Sequence, residues 1–286
     1  MPHPLTARRL LALAATQFTR QVPGLLAAAP LAFVLFALSL PGALLLGQLD
    51  GRLDGWFMLA GAINLLALAR LALAWQRRLA RASDIKPAAA LGRIDGAYVR
   101  VLALLVLACC AIAALKAVSL TLGLALYFKL PGVSSTVFLA IALLAWLALW
   151  LPVMYWLGAW SLSLPRAALT DRYGLARSRQ ALRGRVWPFA GLLLLLTGIT
   201  EVTGVALRKS VLLRWPQAIA TAGGGLVITL VLVLFFAILC GTAYRERAEL
   251  SGRQGAARQD QRNIGRLPVR ALTQRRGPAR PTPSRG

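Results

Sequence analysis

The chain has 286 residues, of which 58% are hydrophobic and 15% charged, and its formal net charge is +24. A soluble domain is about half apolar and about one quarter charged, so this composition excludes a single soluble globule. The only histidine is His3, which excludes a histidine-based catalytic triad or a His-rich metal site. The composition therefore indicates an integral membrane protein.

The first predicted element is an N-terminal amphipathic helix. Apolar residues recur at helical spacing over residues 7–18, whereas Arg8, Arg9 and Arg20 lie off that face. Such a helix rests in the headgroup region, with its arginines on anionic phosphates. The alternative is a secretory signal, but the apolar run 10–15 is shorter than the apolar core of a signal peptide.

Six hydrophobic stretches follow, each near the length of about 20 apolar residues that crosses a bilayer as a helix. They are Leu25–Gly47, Trp56–Trp75, Val99–Leu122, Phe138–Leu164, Val186–Leu207 and Ala218–Tyr244. The third stretch contains Lys116, and it is either one long tilted span or a span broken there and followed by an interfacial helix. Aromatic residues predicted to form interfacial belts are Trp56, Trp75, Tyr98, Tyr127, Trp160, Trp187 and Tyr244.

Lysine and arginine are distributed unevenly between the connections. Of the 33 basic residues, 25 fall in the N-terminal segment, the second and fourth connections and the C-terminal tail. The alternate connections hold five. Because basic residues are retained on the cytoplasmic side, both termini are predicted to be cytoplasmic.

The arginines on that side are predicted to contact lipid headgroups. Each cation near an anionic membrane surface contributes on the order of 1 kcal/mol. The alternative is that these arginines only set the orientation of the spans and have no dedicated ligand. The predicted headgroup contacts are Arg8, Arg9, Arg77, Arg78, Arg81, Arg166, Arg177, Arg179, Arg183 and Arg185.

Polar residues at membrane depth form a candidate intramembrane site of Lys116, Glu201 and Asn64. Lys116 and Glu201 lie at similar depths, about 26 Å and about 22 Å from the inner ends of their spans. Three interpretations remain open: a proton- or substrate-coupling site in which Glu201 titrates, an ion pair that fixes helix packing, or two residues that snorkel outward separately. Asn64 is expected to bond to a neighbouring helix, and Arg70 to reach the headgroups.

A recognisable pattern occupies residues 160–196. It consists of a helix begun by Pro165, a turn with Asp171 and Gly174, an Ala–Leu helix with Ser and Arg, and Trp187 at the start of a span. The pattern resembles a bacterial family of six-span inner-membrane proteins that includes the membrane domain of some glycerophosphoryl diester phosphodiesterases. The resemblance implies a module of the bacterial cytoplasmic membrane. It implies no reaction, because the phosphodiesterase chemistry belongs to a separate soluble domain that this sequence does not contain.

The apolar pattern stops at Arg245. The last 42 residues contain eleven arginines, three acids and many Gly, Gln and Pro. This composition predicts a disordered tail, 245–286, after a transmembrane domain, 1–244. Its positive charge would attract anionic headgroups, and the lack of aromatic residues argues against specific nucleic-acid binding.

The predicted fold is all-α: a polytopic membrane protein with six transmembrane helices, amphipathic interfacial helices and a disordered C-terminal tail. No metal, cofactor or enzymatic activity is predicted, because the sequence offers no metal-ligand spacing and no nucleophile–base pair. The leading hypothesis is a structural or accessory module in envelope or lipid homeostasis. The alternative is a small transporter or permease subunit with a Lys116/Glu201 site. The expected partners are the anionic bilayer and either a second copy or another membrane protein.

Overall fold

The computed structural model describes residues 7–46, 48, 55–80, 95–130, 132–169, 175, 178, 182, 186–212 and 215–264. These residues are almost entirely helical, and none of them lies in a strand, so the predicted all-α fold is confirmed. The helices are α1 Ala7–Ala28, α2 Pro30–Leu46, α3 Gly55–Ala80, α4 Gly96–Lys129, α5 Ser135–Trp160, α6 Ser163–Leu169, α7 Trp187–Leu212 and α8 Pro216–Ile264.

The multi-pass membrane architecture is carried by long apolar helices. Among the described residues, five helical segments are long and apolar enough to cross a membrane, namely α3, α4, α5 together with α6, α7 and the first part of α8. Helices α1 and α2 meet the same criterion only as a bent pair. The structure therefore provides five spans, or six when the bent pair counts as one.

The first predicted span is placed differently in the structure. Helix α1 continues through Leu25 to Ala28, and the chain then turns by 96° into α2. Pro30 explains the turn, because proline lacks an N–H donor and its ring clashes with the carbonyl four residues earlier. The indole N–H of Trp75 donates to the carbonyl oxygen of Leu25 at 2.9 Å, which gives a partner to a carbonyl near the end of α1.

Helix α1 is amphipathic, as predicted. Its buried face includes Leu10, Ala14 and Leu25, whereas Arg8 and Arg9 are exposed. The buried face belongs to the main hydrophobic core and contacts α2, α3 and α7. The apolar side of this helix therefore packs on protein, and Arg8 and Arg9 lie on its exposed side.

Helix α4 is continuous, which decides the question left open at Lys116. It has 34 residues and no break, and Lys116 lies within it. At 1.5 Å per residue it is about 51 Å long, well above the hydrocarbon thickness of about 30 Å. One long span, rather than a span broken at Lys116, is therefore the correct interpretation.

The predicted aromatic belts are only partly present. Trp56 is 81% exposed, and Tyr127 and Trp187 are also exposed, as interfacial residues should be. Trp75 is 1% exposed, and Tyr98 is buried too, so both are packing residues. Position near the end of a span did not distinguish the exposed aromatic residues from the buried ones, because burial depends on which face of the helix meets a neighbouring helix.

Close helix contacts occur where glycine removes a side chain. A Cβ atom at Gly158 of α5 would lie 2.9 Å from the backbone nitrogen of Ala190 in α7. A Cβ atom at Gly241 of α8 would lie 2.7 Å from the side chain of Leu79 in α3. These two glycines let the neighbouring helices approach closely, as small residues do at membrane helix interfaces.

The segment after α5 is held against the bundle. Pro165 lies in the first turn of α6, as predicted, and it is buried together with Ala167 and Ala168. Helix α6 contacts α3 and α4. Further along, the hydroxyl of Ser178 donates to the carbonyl oxygen of Ala159 at 2.8 Å. The described part of this segment therefore packs on protein.

The chain divides into two compact units, Met1–Tyr244 and Arg245–Gly286. The sequence predicts disorder from Arg245, whereas helix α8 is described as far as Ile264. Residues 245–264 are rich in Ala, Arg, Glu and Gln, which favour helix. The rest of the predicted tail, 265–286, lies outside the described residues, and its disorder stays a prediction.

Candidate functional site

The structure brings two of the three candidate intramembrane residues together. Lys116 of α4 and Glu201 of α7 form an ion pair through Nζ and Oε1. The two side chains are 36% and 38% exposed, so the pair lies near the surface of the bundle rather than in its core. Of the three interpretations that the sequence left open, separate snorkelling is wrong, because the two charges meet.

Gln48, which follows α2, completes this site. Its Nε2 donates to Oε2 of Glu201 at 3.0 Å, and Nη1 of Arg208 donates to its backbone carbonyl at 3.1 Å. A Cβ atom at Gly204 would lie 3.0 Å from the Gln48 side chain, so glycine leaves room for it. Glu201, Gly204 and Arg208 follow each other by three and four residues and therefore share one face of α7.

We call Lys116, Glu201, Gln48 and Arg208 the Lys116 network. Both carboxylate oxygens of Glu201 have partners in it, one from α4 and one from the end of α2. Where water is scarce, a carboxylate is stable only if its charge is paired and its lone pairs are satisfied. Chemically, the arrangement can fasten three elements together, namely α4, α7 and the end of α2.

Asn64 is satisfied at a different place. Its Nδ2 donates to the carbonyl oxygen of Phe36 at 3.0 Å and to the hydroxyl of Ser39 at 3.2 Å. Both acceptors lie on α2, so the prediction that Asn64 bonds to a neighbouring helix is confirmed. Asn64 therefore fastens α3 to α2 and belongs to a separate contact from the Lys116 network.

A second charged cluster lies where α3 ends and α4 begins. Nη2 of Arg77 donates to Oδ2 of Asp95 at 2.5 Å, and Nε of Arg77 is 3.5 Å from the carbonyl oxygen of Ala168 in α6. The hydrogen bond from Arg77 and its charge hold the pKa of Asp95 below its usual range, and Arg100 and Arg70 act in the same direction. Asp95 therefore stays ionised and ties α4 to α3.

Arg70 lies next to this cluster. Its guanidinium carbon is 4.7 Å from the centroid of the Tyr98 ring, a cation–π distance. The Tyr98 hydroxyl in turn donates to the carbonyl oxygen of Leu66 at 3.4 Å. The sequence predicted only that Arg70 reaches the headgroups, and it contained no signal for a partner 28 residues away.

The predicted headgroup contacts are in different environments. Arg8, Arg9 and Arg78 are exposed, Arg77 is paired with Asp95, and Arg166 is half-buried in α6. The guanidinium of Arg78 lies against Gly24 of α1, where a Cβ atom would be 2.5 Å from Nη2. The predicted contacts that lie outside the described residues are Arg81, Arg177, Arg179, Arg183 and Arg185.

The part of the chain that the structure describes contains no group of three or more His, Cys, Asp or Glu side chains able to hold a metal ion. Cys109 and Cys110 are exposed, Cys240 is buried, and all three are free thiols. The chain matches no protein-family model, no characterised protein and no solved structure.

Proposed function

We propose that this protein is a non-enzymatic integral protein of the bacterial cytoplasmic membrane and serves as a structural or accessory module in envelope or lipid homeostasis. The observation that carries the proposal is the Lys116 network. Lys116 and Gln48 occupy both oxygens of the Glu201 carboxylate. A charged pair used in this way joins helices and needs no substrate.

The distribution of basic residues supports the orientation within this proposal. The end of the bundle that carries Arg77, Arg78 and α6 faces the cytoplasm, as does each terminus, because the basic connections lie there. The resemblance of residues 160–196 to the six-span bacterial family supports the same role, and membership in that family is part of the proposal. The partners are anionic lipids and either a second copy or another membrane protein.

A second candidate function is transport, and a specific observation favours it. More than a third of each side chain in the Lys116–Glu201 pair is exposed. The pair can therefore be reached from the surface of the bundle without unfolding. Pro41 lies inside α2 and Pro152 inside α5, and prolines in membrane helices accompany the broken helices of some transporters.

The two functions are separated by the variants Lys116→Met and Glu201→Gln and by their combination. Each single change leaves one partner of the pair unsatisfied, so we expect it to lower the free energy of unfolding by about 1–2 kcal/mol, less than for a fully buried pair. The double variant removes both charges, and we expect it to recover most of the loss. Thermal unfolding of the purified full chain in detergent measures the effect. Lys209→Met, on α7 but outside the network, is the control.

The same variants are tested in cells that lack the native chain. If the pair is structural, loss of the chain weakens the envelope against detergent, and the double variant restores resistance. If the protein is a transporter, Glu201→Gln unfolds at the wild-type temperature, abolishes potential-driven proton flux in proteoliposomes, and is not rescued by Lys116→Met. Normal stability, flux and resistance in every variant would remove both roles.

A further inference from the structure

A surface cavity of about 400 Å³ lies where α1 turns into α2 beside α3. The 96° turn at Ala29 separates the two helices and opens the space. Small side chains keep it open, among them Ala28, Ala32 and Ala74. Its volume lies within the range of about 300–1,000 Å³ that is typical of small-molecule sites. We call this space the α1–α3 notch.

The notch is accessible from the side of the bundle that acyl chains cover. Leu31 and Leu66 line it and are exposed, whereas Ala67 and Leu73 form a buried floor. Because α3 is a membrane-spanning helix, the open side of the notch faces the bilayer rather than water. The occupant that suits these walls is therefore apolar over most of its length.

Cationic groups also line the notch. Arg70 and Arg77 belong to its lining together with Tyr98, and they are two helical turns, about 10 Å, apart on one face of α3. Arg70, Arg77 and Arg100 lie close enough to Asp95 to lower its pKa, so three guanidinium groups gather at this end of the notch. The guanidinium of Arg70 lies over the Tyr98 ring, at the edge of the notch.

We propose that the α1–α3 notch binds an anionic phospholipid of the surrounding bilayer, with its phosphate on Arg70 and Arg77 and one acyl chain along the apolar wall. Charge complementarity at the basic residues and apolar walls elsewhere favour this occupant over a soluble anion. Basic pockets between membrane helices on the cytoplasmic side bind anionic headgroups in this way. The proposal rests on the proposed function, because it names the lipid class through which a lipid-homeostasis module would act.

The test uses the full chain in a neutral detergent and native mass spectrometry with added phosphatidylglycerol or phosphatidylcholine. We expect the wild-type protein to retain phosphatidylglycerol in preference to phosphatidylcholine. Arg70→Gln should weaken phosphatidylglycerol retention about fivefold, the size expected for one lost cation–phosphate interaction. Ala28→Phe, which fills the notch and keeps every charge, should weaken retention of both lipids. Arg78→Gln removes an exposed cation from the same helix outside the notch and should weaken phosphatidylglycerol retention less than Arg70→Gln does.

Equal retention of the two lipids by the wild-type protein would overturn the proposal. So would equal losses in Arg70→Gln and Arg78→Gln, which would indicate nonspecific attraction to the basic surface. Unfolding temperatures without added lipid show whether Arg70→Gln and Ala28→Phe still fold, and Arg70→Lys should keep most of the binding. If binding is specific but loss of the chain leaves the envelope unchanged, the proposed function fails and the site stands. If binding fails but the envelope depends on the chain, only the site fails.

Discussion

Hydrogen bonds from polar side chains join several of the helices, because an unsatisfied polar group is costly inside a membrane. The side chains of Asn64, Trp75 and Gln76 each donate to a backbone carbonyl on another helix. Counting residues along the spans placed Lys116 and Glu201 at similar depths, and the structure shows that they pair. Gln48 escaped prediction because it lies in a connection, where polar residues are ordinary.

A prediction at this scale concerns Trp75. Trp75→Phe keeps an aromatic ring but removes part of the buried indole volume together with the N–H that donates to Leu25 near the end of α1. We expect the free energy of unfolding to fall by about 1–3 kcal/mol, the cost of leaving a buried carbonyl without its donor. Thermal unfolding in detergent measures the change. Trp56→Phe, at an exposed tryptophan, is the control, and equal stability of the two variants would contradict the prediction.

Individual helices were predicted well where the pattern was long and apolar. Six stretches were expected, and the later five lie within or nearly coincide with α3, α4, α5, α7 and α8. The first differed because Pro30 interrupts a continuous apolar run, and hydropathy alone does not register a missing N–H donor. The continuity of α4 through Lys116 also needed the structure, since one charge in an apolar helix is compatible with either arrangement.

The crossing of α5 and α7 gives a prediction at the scale of elements. Gly158→Val places a side chain against the backbone of Ala190, which cannot move without shifting α7. We expect a loss of about 1–3 kcal/mol in the free energy of unfolding, as for other overpacked sites. Gly191→Val on α7 introduces the same residue where no atom lies within 4 Å of a Cβ position, and it is the matched control. A smaller loss in Gly158→Val than in Gly191→Val would show that the crossing is not tight.

The whole molecule exposes much of its apolar surface, as a protein surrounded by lipid should. Leu38, Leu120 and Leu144 are each at least two-thirds exposed. In water such a surface would drive association, whereas acyl chains cover it at no cost. Orientation is a second property at this scale, and it rests on the basic connections alone.

The orientation is tested by labelling introduced cysteines in a variant that lacks Cys109, Cys110 and Cys240. We expect Trp56→Cys to react with a membrane-impermeant maleimide in intact cells, because the connection before α3 is predicted to face outward. Arg9→Cys, exposed on α1, should react only after the membrane is opened. The reverse labelling pattern would show that the molecule has the opposite orientation and that the α1–α3 notch lies in the outer leaflet.

The sequence by itself determined the membrane class, the helical fold and the predicted orientation, because hydropathy and charge are sums over residues that need no knowledge of contacts. It also placed Lys116 and Glu201 at a common depth. Only the tertiary structure decided which helix faces meet. It shows that Trp75 is buried, that Gln48 donates to the second carboxylate oxygen of Glu201, and that a turn at Ala29 opens a notch beside Arg70. These features depend on distant segments coming together, and helical period and depth do not specify the neighbour that a side chain will find.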